Sequence, residues 1–150
     1  MAQIVSIVYK PHGIDPRPED RYARVPLEAA TLVAGHGIEG DRKGGKGDRN
    51  LNLMSATALG RLAGEGYQTG PGQMGEQIVL GGLDVDTLAP GTRLRLGDEA
   101  VIEVVKARTG CSRLEHIQKH TKAEAAGRLG VMARVVAGGL IRVGDAVEST

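Results

Sequence analysis

The chain has a single cysteine among its 150 residues, no tryptophan or phenylalanine, and only three tyrosines. One cysteine excludes an intramolecular disulfide framework. The scarcity of aromatic rings leaves little surface on which nucleic-acid bases could stack. The formal net charge is +1, so no global field attracts nucleic acid or acidic lipid. Neither a nucleic acid nor a membrane is therefore expected as a partner.

Long apolar segments are also missing, since no run approaches the ~18 residues of a membrane span. The first residues show no secretory pattern, so a reducing, cytoplasmic setting is expected. A length of 150 residues favours one domain over residues 1–150, with a core built from aliphatic side chains. Glycine is abundant at 23 residues, which suits many tight turns.

Short β-branched runs between glycine turns predict a β-rich chain. The predicted strands are residues 4–8, a bent pair at 25–34, 50–54, 77–80, 92–96, 100–105, 131–136, 140–143 and 146–148. Short helices are predicted at 56–63, capped by Ser55, and at 114–120 with an extension toward 126. This pattern indicates an α+β, β-rich fold with a few short helices and a closed or nearly closed β-barrel.

Two glycine-rich motifs resemble nucleotide-binding loops. The letters GHGIEG at 35–40 match a dinucleotide fingerprint, but the following residues lack the apolar period of the helix that such a site requires. The letters GGKG at 44–47 lack both the spacing of a P-loop and the Ser or Thr after the lysine. Neither motif therefore predicts a nucleotide site.

The segment 35–49 can still bind an anion. Four cations lie among its glycines: Arg42, Lys43, Lys46 and Arg49. Glycines allow consecutive backbone N–H groups to form an anion-binding nest, and Arg49, at the entry of a strand, suits a bidentate phosphate contact. The alternative is a solvated loop with scattered charge.

Cys111 lies between a predicted strand and a predicted helix. Ser112 followed by Glu115 has the pattern of a capping box at the start of that helix. Three cations are close in sequence: Lys106, Arg108 and Arg113. Free helix N–H groups and positive charge favour the thiolate, which is the reactive and metal-binding form. The alternative is a small buried residue without chemistry.

Cys111, His116 and His120 are candidate zinc ligands, because the two histidines share one helix face. Cys111 precedes the predicted cap of that helix, and no further cysteine or acidic ligand completes the set. Structural zinc sites usually show four closely spaced ligands. Exposed histidines are therefore the expected outcome.

A set of motifs occurs in a fixed order along the chain: GIEGDR (37–42), Arg49, LNLMS (51–55), GPGQMGEQI (70–78), GLD (82–84), PGTRLRLG (90–97), CSRL (111–114), GRLGVMARVV (127–136), GG (138–139) and GD (144–145). In that order the motifs resemble the MOSC domain, named for the C-terminal domain of molybdenum-cofactor sulfurases. The resemblance is strongest over residues 30–148, so the chain is similar to a single MOSC domain.

The resemblance implies a molybdenum cofactor, molybdopterin, and a reactive Cys111. In the family a sulfur carried on this cysteine is proposed to pass to a metal–sulfur acceptor, and some members are molybdoenzymes that reduce N-hydroxylated compounds. Cys111 is thus expected to carry sulfur as a persulfide or to bind molybdenum. The residues expected to contact the cofactor are Lys43, Arg49, Asn50, Glu76, Arg113, Arg128 and Arg134.

The chain departs from the family pattern at three positions. Lys43 stands where the family commonly has histidine, Gly110 where it has proline, and Gln77 where it has asparagine. Lysine can bind phosphate but is a poorer base or metal ligand than a neutral imidazole. The cofactor and the reaction are the properties that these changes affect.

The resemblance also implies partners. Larger members carry a pyridoxal-phosphate cysteine desulfurase domain or a ferredoxin domain, so a single domain is expected to receive sulfur from a desulfurase or electrons from another protein. A homodimer would cover exposed strand edges. The activities that follow are a sulfur transferase or a molybdenum-dependent reductase. The competing hypothesis is an anion-binding module without catalysis, in which Cys111 only packs.

Overall fold

A computed structural model describes residues 1–13, 18–45 and 47–150. The strands are β1 Gln3–Tyr9, β2 Val25–Leu27, β3 Ala29–Val33, β4 Gly37–Ile38, β5 Leu51–Ser55, β6 Ile78–Gly81, β7 Arg93–Leu96, β8 Ala100–Ala107, β9 Val131–Ala137, β10 Gly139–Arg142 and β11 Val147–Ser149. The helices are α1 Ala56–Gly64, α2 Ser112–Gln118 and α3 Lys122–Ala125, with a 3-10 turn at Val85–Thr87. The β-rich α+β class is confirmed.

The strands form two sheets. Eight strands pair in the order β11-β7-β8-β9-β5-β6-β1-β2, and a smaller sheet has the order β10-β3-β4. The ladders are antiparallel except for β5 and β6, which run parallel because α1 connects them. The sheet is therefore mixed, and β8, β9, β5 and β6 are consecutive neighbours at its centre.

Of the predicted closed or nearly closed barrel, the closed form is wrong, because neither sheet closes within the described residues. β1 approaches the segment before β11 through isolated contacts: Ile4 N–H donates to Asp145 O at 2.9 Å, and Val147 N–H donates to Ala2 O at 3.0 Å. A single bridge, Gln3 with Ala146, joins them. The large sheet thus curls without a continuous ladder between its edges, and β10 pairs with β3 instead of extending it.

The main core fills the curl of the large sheet. Its fully buried members include Ile4, Leu53, Ile78, Leu94 and Ile102, which come from five different strands. A second, smaller core lies under α1 and α2. It contains Met54, Leu62, Tyr67, Met74, Leu114, Ala125 and Leu129.

Helix α1 begins as the sequence predicts. The Ser55 hydroxyl accepts the Ala58 N–H at 3.2 Å, which satisfies one of the free donors of the first turn. Leu62 faces the smaller core. No helix among the described residues is long and apolar enough to span a membrane.

The predicted capping box at Ser112 and Glu115 is wrong. Helix α2 is capped by Cys111, and the Glu115 carboxylate accepts the Lys122 N–H at 2.8 Å instead. Lys119 adopts a left-handed backbone with φ 57° and ends the helix there. The capping box lies one helix later, where Thr121 pairs with Glu124 at the start of α3.

Candidate functional site

A cleft of about 350 Å³ opens at the ends of the four central strands, β8, β9, β5 and β6, and Cys111 forms part of its wall. Its cationic lining residues are Arg24, Lys43, Arg49 and Arg108. Its other polar lining residues are Tyr22, Asn52, Gln77 and Thr109. None of the described residues that line it is an aspartate or a glutamate. The cleft is therefore suited to an anionic ligand.

The side chain of Cys111 is exposed at this cleft. Its backbone is extended, with φ −139° and ψ 170°, and its side chain makes no capping hydrogen bond to α2. Its carbonyl accepts the Glu115 N–H at 3.1 Å, which anchors the residue to the first helical turn. The backbone of Cys111 is thus anchored at the start of α2, and its thiol is accessible to a ligand, unlike a cysteine that only packs.

Arg108 forms the floor of the cleft as a largely buried cation with 8% of its surface exposed. Its Nη2 donates to Met74 O at 2.6 Å, and its backbone N–H donates to Gly130 O at 3.0 Å. Burial lowers the pKa of the Arg108 guanidinium. A buried charge is costly unless it is paired, and no carboxylate among the described residues forms an ion pair with Arg108.

Arg24 brings a second partly buried guanidinium to the cleft. It lies 5.1 Å from the centroid of the Tyr22 ring, and burial lowers the pKa of Arg24. Its Nε is buried and has no hydrogen-bond partner among the described residues. An orphaned buried donor of this kind is unusual in a folded protein, so Arg24 and Arg108 both favour an anion in the cleft.

Tyr22 lies against the thiol. Its backbone N–H donates to Gln73 Oε1 at 3.3 Å, and Gln73 Nε2 donates to Tyr22 O at 3.2 Å. It lines the cleft together with Cys111. Burial, together with the neighbouring Cys111, raises the pKa of Tyr22 to about 12. At neutral pH the phenol is therefore protonated and can donate a hydrogen bond to the Cys111 sulfur.

The turn at residues 70–75 shapes one wall of the cleft. A Cβ at Gly75, where φ is 82°, would collide with Arg108 Nη2, so only glycine fits beneath the guanidinium. Asn52 Nδ2 donates to Gly75 O at 3.2 Å, and Asn52 N–H donates to Gln77 Oε1 at 2.7 Å. These bonds fix the wall relative to β5.

Glu76 stabilises the same turn from inside. Its carboxylate accepts the Gly72 N–H at 2.8 Å and the Met74 N–H at 3.1 Å, and only 1% of its surface is exposed. Burial raises its pKa, while the two backbone donors and Arg108 act in the opposite direction. Glu76 does not line the cleft, so the structure places it as a support of the turn.

Replacing Glu76 with alanine is expected to lower the free energy of unfolding by about 2–4 kcal/mol, because two buried backbone N–H groups lose a charged acceptor. Urea unfolding at pH 7 measures the change. Glu28→Ala is the matched control, since Glu28 is exposed and its side chain has no hydrogen bond among the described residues. Equal stabilities of the two variants would contradict the supporting role of Glu76.

Three of the residues predicted from the sequence meet at the cleft: Lys43, Arg49 and Cys111. Lys43 is positioned by its N–H, which donates to Asp41 Oδ1 at 3.1 Å, while the Lys43 and Arg49 side chains are exposed. Arg113 lines an adjoining cavity, where its Nη2 donates to Arg21 O at 3.0 Å. Lys46, also predicted for anion binding, lies outside the described residues.

Asn50 serves the fold, because its side chain binds backbone groups. Its side chain is completely buried, with Nδ2 donating to Gly35 O at 3.2 Å and to Gly47 O at 3.0 Å. Its Oδ1 accepts the Val135 N–H at 2.9 Å. With its hydrogen-bonding atoms engaged, Asn50 anchors the glycine-rich segment to β9 and does not line the cleft.

Arg128 and Arg134 are not brought to the cleft. Arg128 pairs with Glu65 through Nη1 at 2.5 Å. Arg134 pairs with Glu103 at 2.9 Å, across the β8–β9 ladder. Each guanidinium therefore forms an ion pair with a carboxylate, which neither Arg24 nor Arg108 does among the described residues.

The histidines of the helical segment lie apart from the thiol. His120 stacks on Tyr67 with ring centroids 4.0 Å apart and contacts Glu124 at 2.9 Å. His116 lines a different cavity. Among the described residues, no three His, Cys, Asp or Glu side chains converge to hold a metal ion.

The site contains two residues that the sequence did not predict, Tyr22 and Arg24. They lie almost 90 positions before Cys111, in a proline-rich stretch without a motif. Their approach depends on Gly72, because a Cβ there would lie 2.6 Å from Arg24 Cγ. The sequence indicated Arg108 only weakly, as one of the cations close to Cys111.

The comparisons with known proteins agree with this architecture. The family model described as MOSC domain matches residues 39–148. No curated protein sequence matches the chain. The fold is similar to the crystal structure of YiiM from Geobacillus stearothermophilus, with 22% identity and a TM-score of 0.75 over 100% of this chain and 75% of that one.

Two further solved structures share the fold. The YuaD protein from Bacillus subtilis is 18% identical with a TM-score of 0.76, covering 98% of this chain and 94% of that one. YiiM from Escherichia coli is 21% identical with a TM-score of 0.71, covering 100% of this chain and 70% of that one. At these identities the likeness concerns the fold.

Proposed function

Because the chain belongs to the MOSC domain family, we propose that it binds a molybdenum cofactor in the cleft and presents the Cys111 sulfur to it. The family is associated with molybdenum-cofactor-related proteins. The observation that carries the proposal is an exposed thiol in a cleft whose described charged lining residues are all cations. Two roles suit this sulfur: carrying a transferable sulfur as a persulfide, or ligating the metal.

The residues of the cleft fit such a group. Molybdopterin carries a phosphate, and Arg24 offers a buried Nε without a partner among the described residues. Arg49 and Lys43 would hold the phosphate from the exposed rim, and Arg108 would compensate its charge from the floor. Thiolate sulfur is a soft ligand suited to a metal–sulfur centre. When bound, the cofactor would supply a metal at which sulfur, oxygen or electrons are exchanged.

The protein's own contribution would be to hold and orient the sulfur. Tyr22 would donate a hydrogen bond to it, and the anchored Cys111 carbonyl would keep the residue at the start of α2. The neutral wall from Leu51 and Met132 would reduce the water in the cleft and thereby strengthen its charge interactions.

The competing hypothesis, an anion-binding module with a structural cysteine, requires Cys111 to pack. The exposure of Cys111 argues against it. Both hypotheses require an anion bound in the cleft, so the anion site is tested first.

Arg49→Ala is expected to weaken binding of pyrophosphate about tenfold, the effect of losing one charge-assisted contact. Arg49 is exposed and outside any ion pair among the described residues, so the fold should not change. Isothermal titration at low salt measures the affinity, which should also fall as salt is added.

Arg95→Ala is the matched control. Arg95 is exposed and pairs with Glu148 at 2.5 Å, on strands away from the cleft. It removes the same charge from the protein, so it separates a local contact from a net-charge effect. Equal loss in both variants, or no pyrophosphate binding by the wild type, would contradict the proposed anion site.

A further inference from the structure

Cys111 lies on a wall shared by two cavities. Beside the cleft is a second cavity of about 230 Å³. The residues common to both are Tyr22, Arg24, Lys43 and Cys111. The second cavity adds Lys10, Ala23 and Arg113. The thiol is therefore within reach of two ligands at once, one on each side.

The second cavity is also cationic. Four of the seven described residues that line it are Lys10, Arg24, Lys43 and Arg113, and none is acidic. The Arg113 guanidinium is held in place, because its Nη2 donates to the carbonyls of Pro18 and Arg21. It lies 5.9 Å from the Tyr22 ring centroid, on the same ring that Arg24 contacts. A fixed cation beside the guanidinium of Arg24 suits a compact oxyanion.

The size of the cavity limits the ligand. At about 30 Å³ per water-sized group, a volume of 230 Å³ accommodates a small hydrated dianion. Because the pterin group is assigned to the larger cleft, the smaller cavity remains for a second reactant. A small dianion that can also transfer a sulfur atom to a thiol is a sulfur oxyanion with a sulfur–sulfur bond.

We infer that the second cavity binds a small sulfur oxyanion of the thiosulfate class and that Cys111 takes the outer sulfur of this anion. The inference rests on the proposed function in its sulfur-carrier form. The sulfur donor is then a small molecule, bound in the second cavity on the side of Cys111 where Arg113 and Lys10 lie.

The transfer balances without an external oxidant. The Cys111 thiol first releases its proton to solvent. The thiolate then attacks the outer sulfur of thiosulfate, a new S–S bond forms to Cys111, and the sulfur–sulfur bond within thiosulfate breaks. Sulfite leaves with the electron pair of that bond, and Cys111 becomes a persulfide. Arg113 and Arg24 would stabilise the charge that gathers on the departing sulfite.

The experiment incubates the reduced full chain with thiosulfate. Sulfite release is measured together with the intact mass, which should increase by one sulfur atom. Ala23→Leu tests the location, since Ala23 lines only the second cavity and the change adds volume without altering charge. This variant should react at least about tenfold more slowly with thiosulfate, while iodoacetamide still alkylates Cys111 at the wild-type rate.

Arg113→Gln provides a second variant. It should raise the thiosulfate concentration at half-maximal rate about tenfold, as expected for one lost charge-assisted contact, with a smaller change in the maximal rate. Arg95→Gln, which removes a cation far from either cavity, should react like the wild type. Wild-type kinetics in both Ala23→Leu and Arg113→Gln would overturn the assignment of the donor to this cavity.

The same experiment separates this inference from the proposed function. Polysulfide, which needs no oxyanion site, is offered in parallel. If the wild type gains sulfur from polysulfide but releases no sulfite from thiosulfate, the donor inference is overturned while the sulfur-carrier function survives. If Cys111 gains sulfur from neither and pyrophosphate does not bind, the proposed function fails as well.

Discussion

Cys111→Ala is expected to abolish sulfur loading of the protein completely while leaving its fold and its pyrophosphate affinity unchanged. The chain has no other cysteine, so no second thiol can take over. The side chain is exposed and makes no capping bond, so its removal should change stability by no more than about 0.5 kcal/mol. The cations that bind the anion remain in place.

The measurement is cyanide-labile sulfur per chain after incubation with polysulfide. Ser112→Ala serves as the control, because Ser112 is the exposed neighbour at the start of the same helix and has no side-chain hydrogen bond among the described residues. It should load sulfur like the wild type. Residual loading of Cys111→Ala would mean that the sulfur chemistry is not located at Cys111. A parallel loss of pyrophosphate binding would mean that the substitution disturbs the cleft, which contradicts the expected unchanged affinity.

Gly130→Ala should lower the free energy of unfolding by more than about 4 kcal/mol, a loss reserved for severe local conflicts. Gly130 has φ 77°, and a Cβ there would overlap Leu53 O and approach Met54 Cα to 3.1 Å. Both obstacles are backbone atoms of β5, which cannot move aside as a flexible side chain would. The substitution would therefore separate β9 from β5.

Gly127→Ala offers a matched control. Gly127 has the same φ of 77° but nothing within 4 Å of its Cβ position. It should lose only the ~1–2 kcal/mol cost of a left-handed backbone. Urea unfolding of the two variants isolates the collision, and equal losses would show that β5 and β9 can separate at Gly130 without penalty.

The Gly130 substitution also has a consequence for the site. Gly130 O accepts the Arg108 N–H at 3.0 Å, and Gly130 N–H donates to Asp86 Oδ1 at 2.7 Å. The close approach at Gly130 therefore positions the start of the segment that leads from Arg108 to Cys111. Any folded fraction of Gly130→Ala should bind pyrophosphate more weakly than Gly127→Ala.

Local patterns predicted the elements well. β-Branched runs marked β1, β8 and β9 to within a few residues, alternation of side-chain character marked β5, and Ser55 marked the start of α1. These signals work because they depend on a few neighbouring side chains. Sheet closure depends instead on which distant strands pair. β10 pairs with β3 rather than with the large sheet, and no local pattern distinguishes the two pairings.

The candidate site likewise combines residues that local motifs predict with residues that only tertiary contacts bring together. Cys111, Lys43 and Arg49 belong to motifs and were predicted, whereas Tyr22 and Arg24 reach the cleft only through tertiary contacts at Gly72 and Gln73. Motif membership also does not reveal what a side chain contacts. Of the residues that the sequence assigned to the cofactor, Asn50, Glu76, Arg128 and Arg134 have their partners within the protein, and the two buried ones support loops that shape the cleft.

Pterin is expected in the cationic cleft, and the direct measurement is the pterin and molybdenum content of the wild type purified from a cofactor-competent host. Near-stoichiometric pterin, reduced in Arg49→Ala and kept in Arg95→Ala, is the expected result. The molybdenum content of Cys111→Ala is measured in parallel. Loss of the metal in this variant identifies Cys111 as a metal ligand, whereas retained metal identifies it as a sulfur carrier. Wild-type protein that carries no pterin would contradict cofactor binding in the cleft.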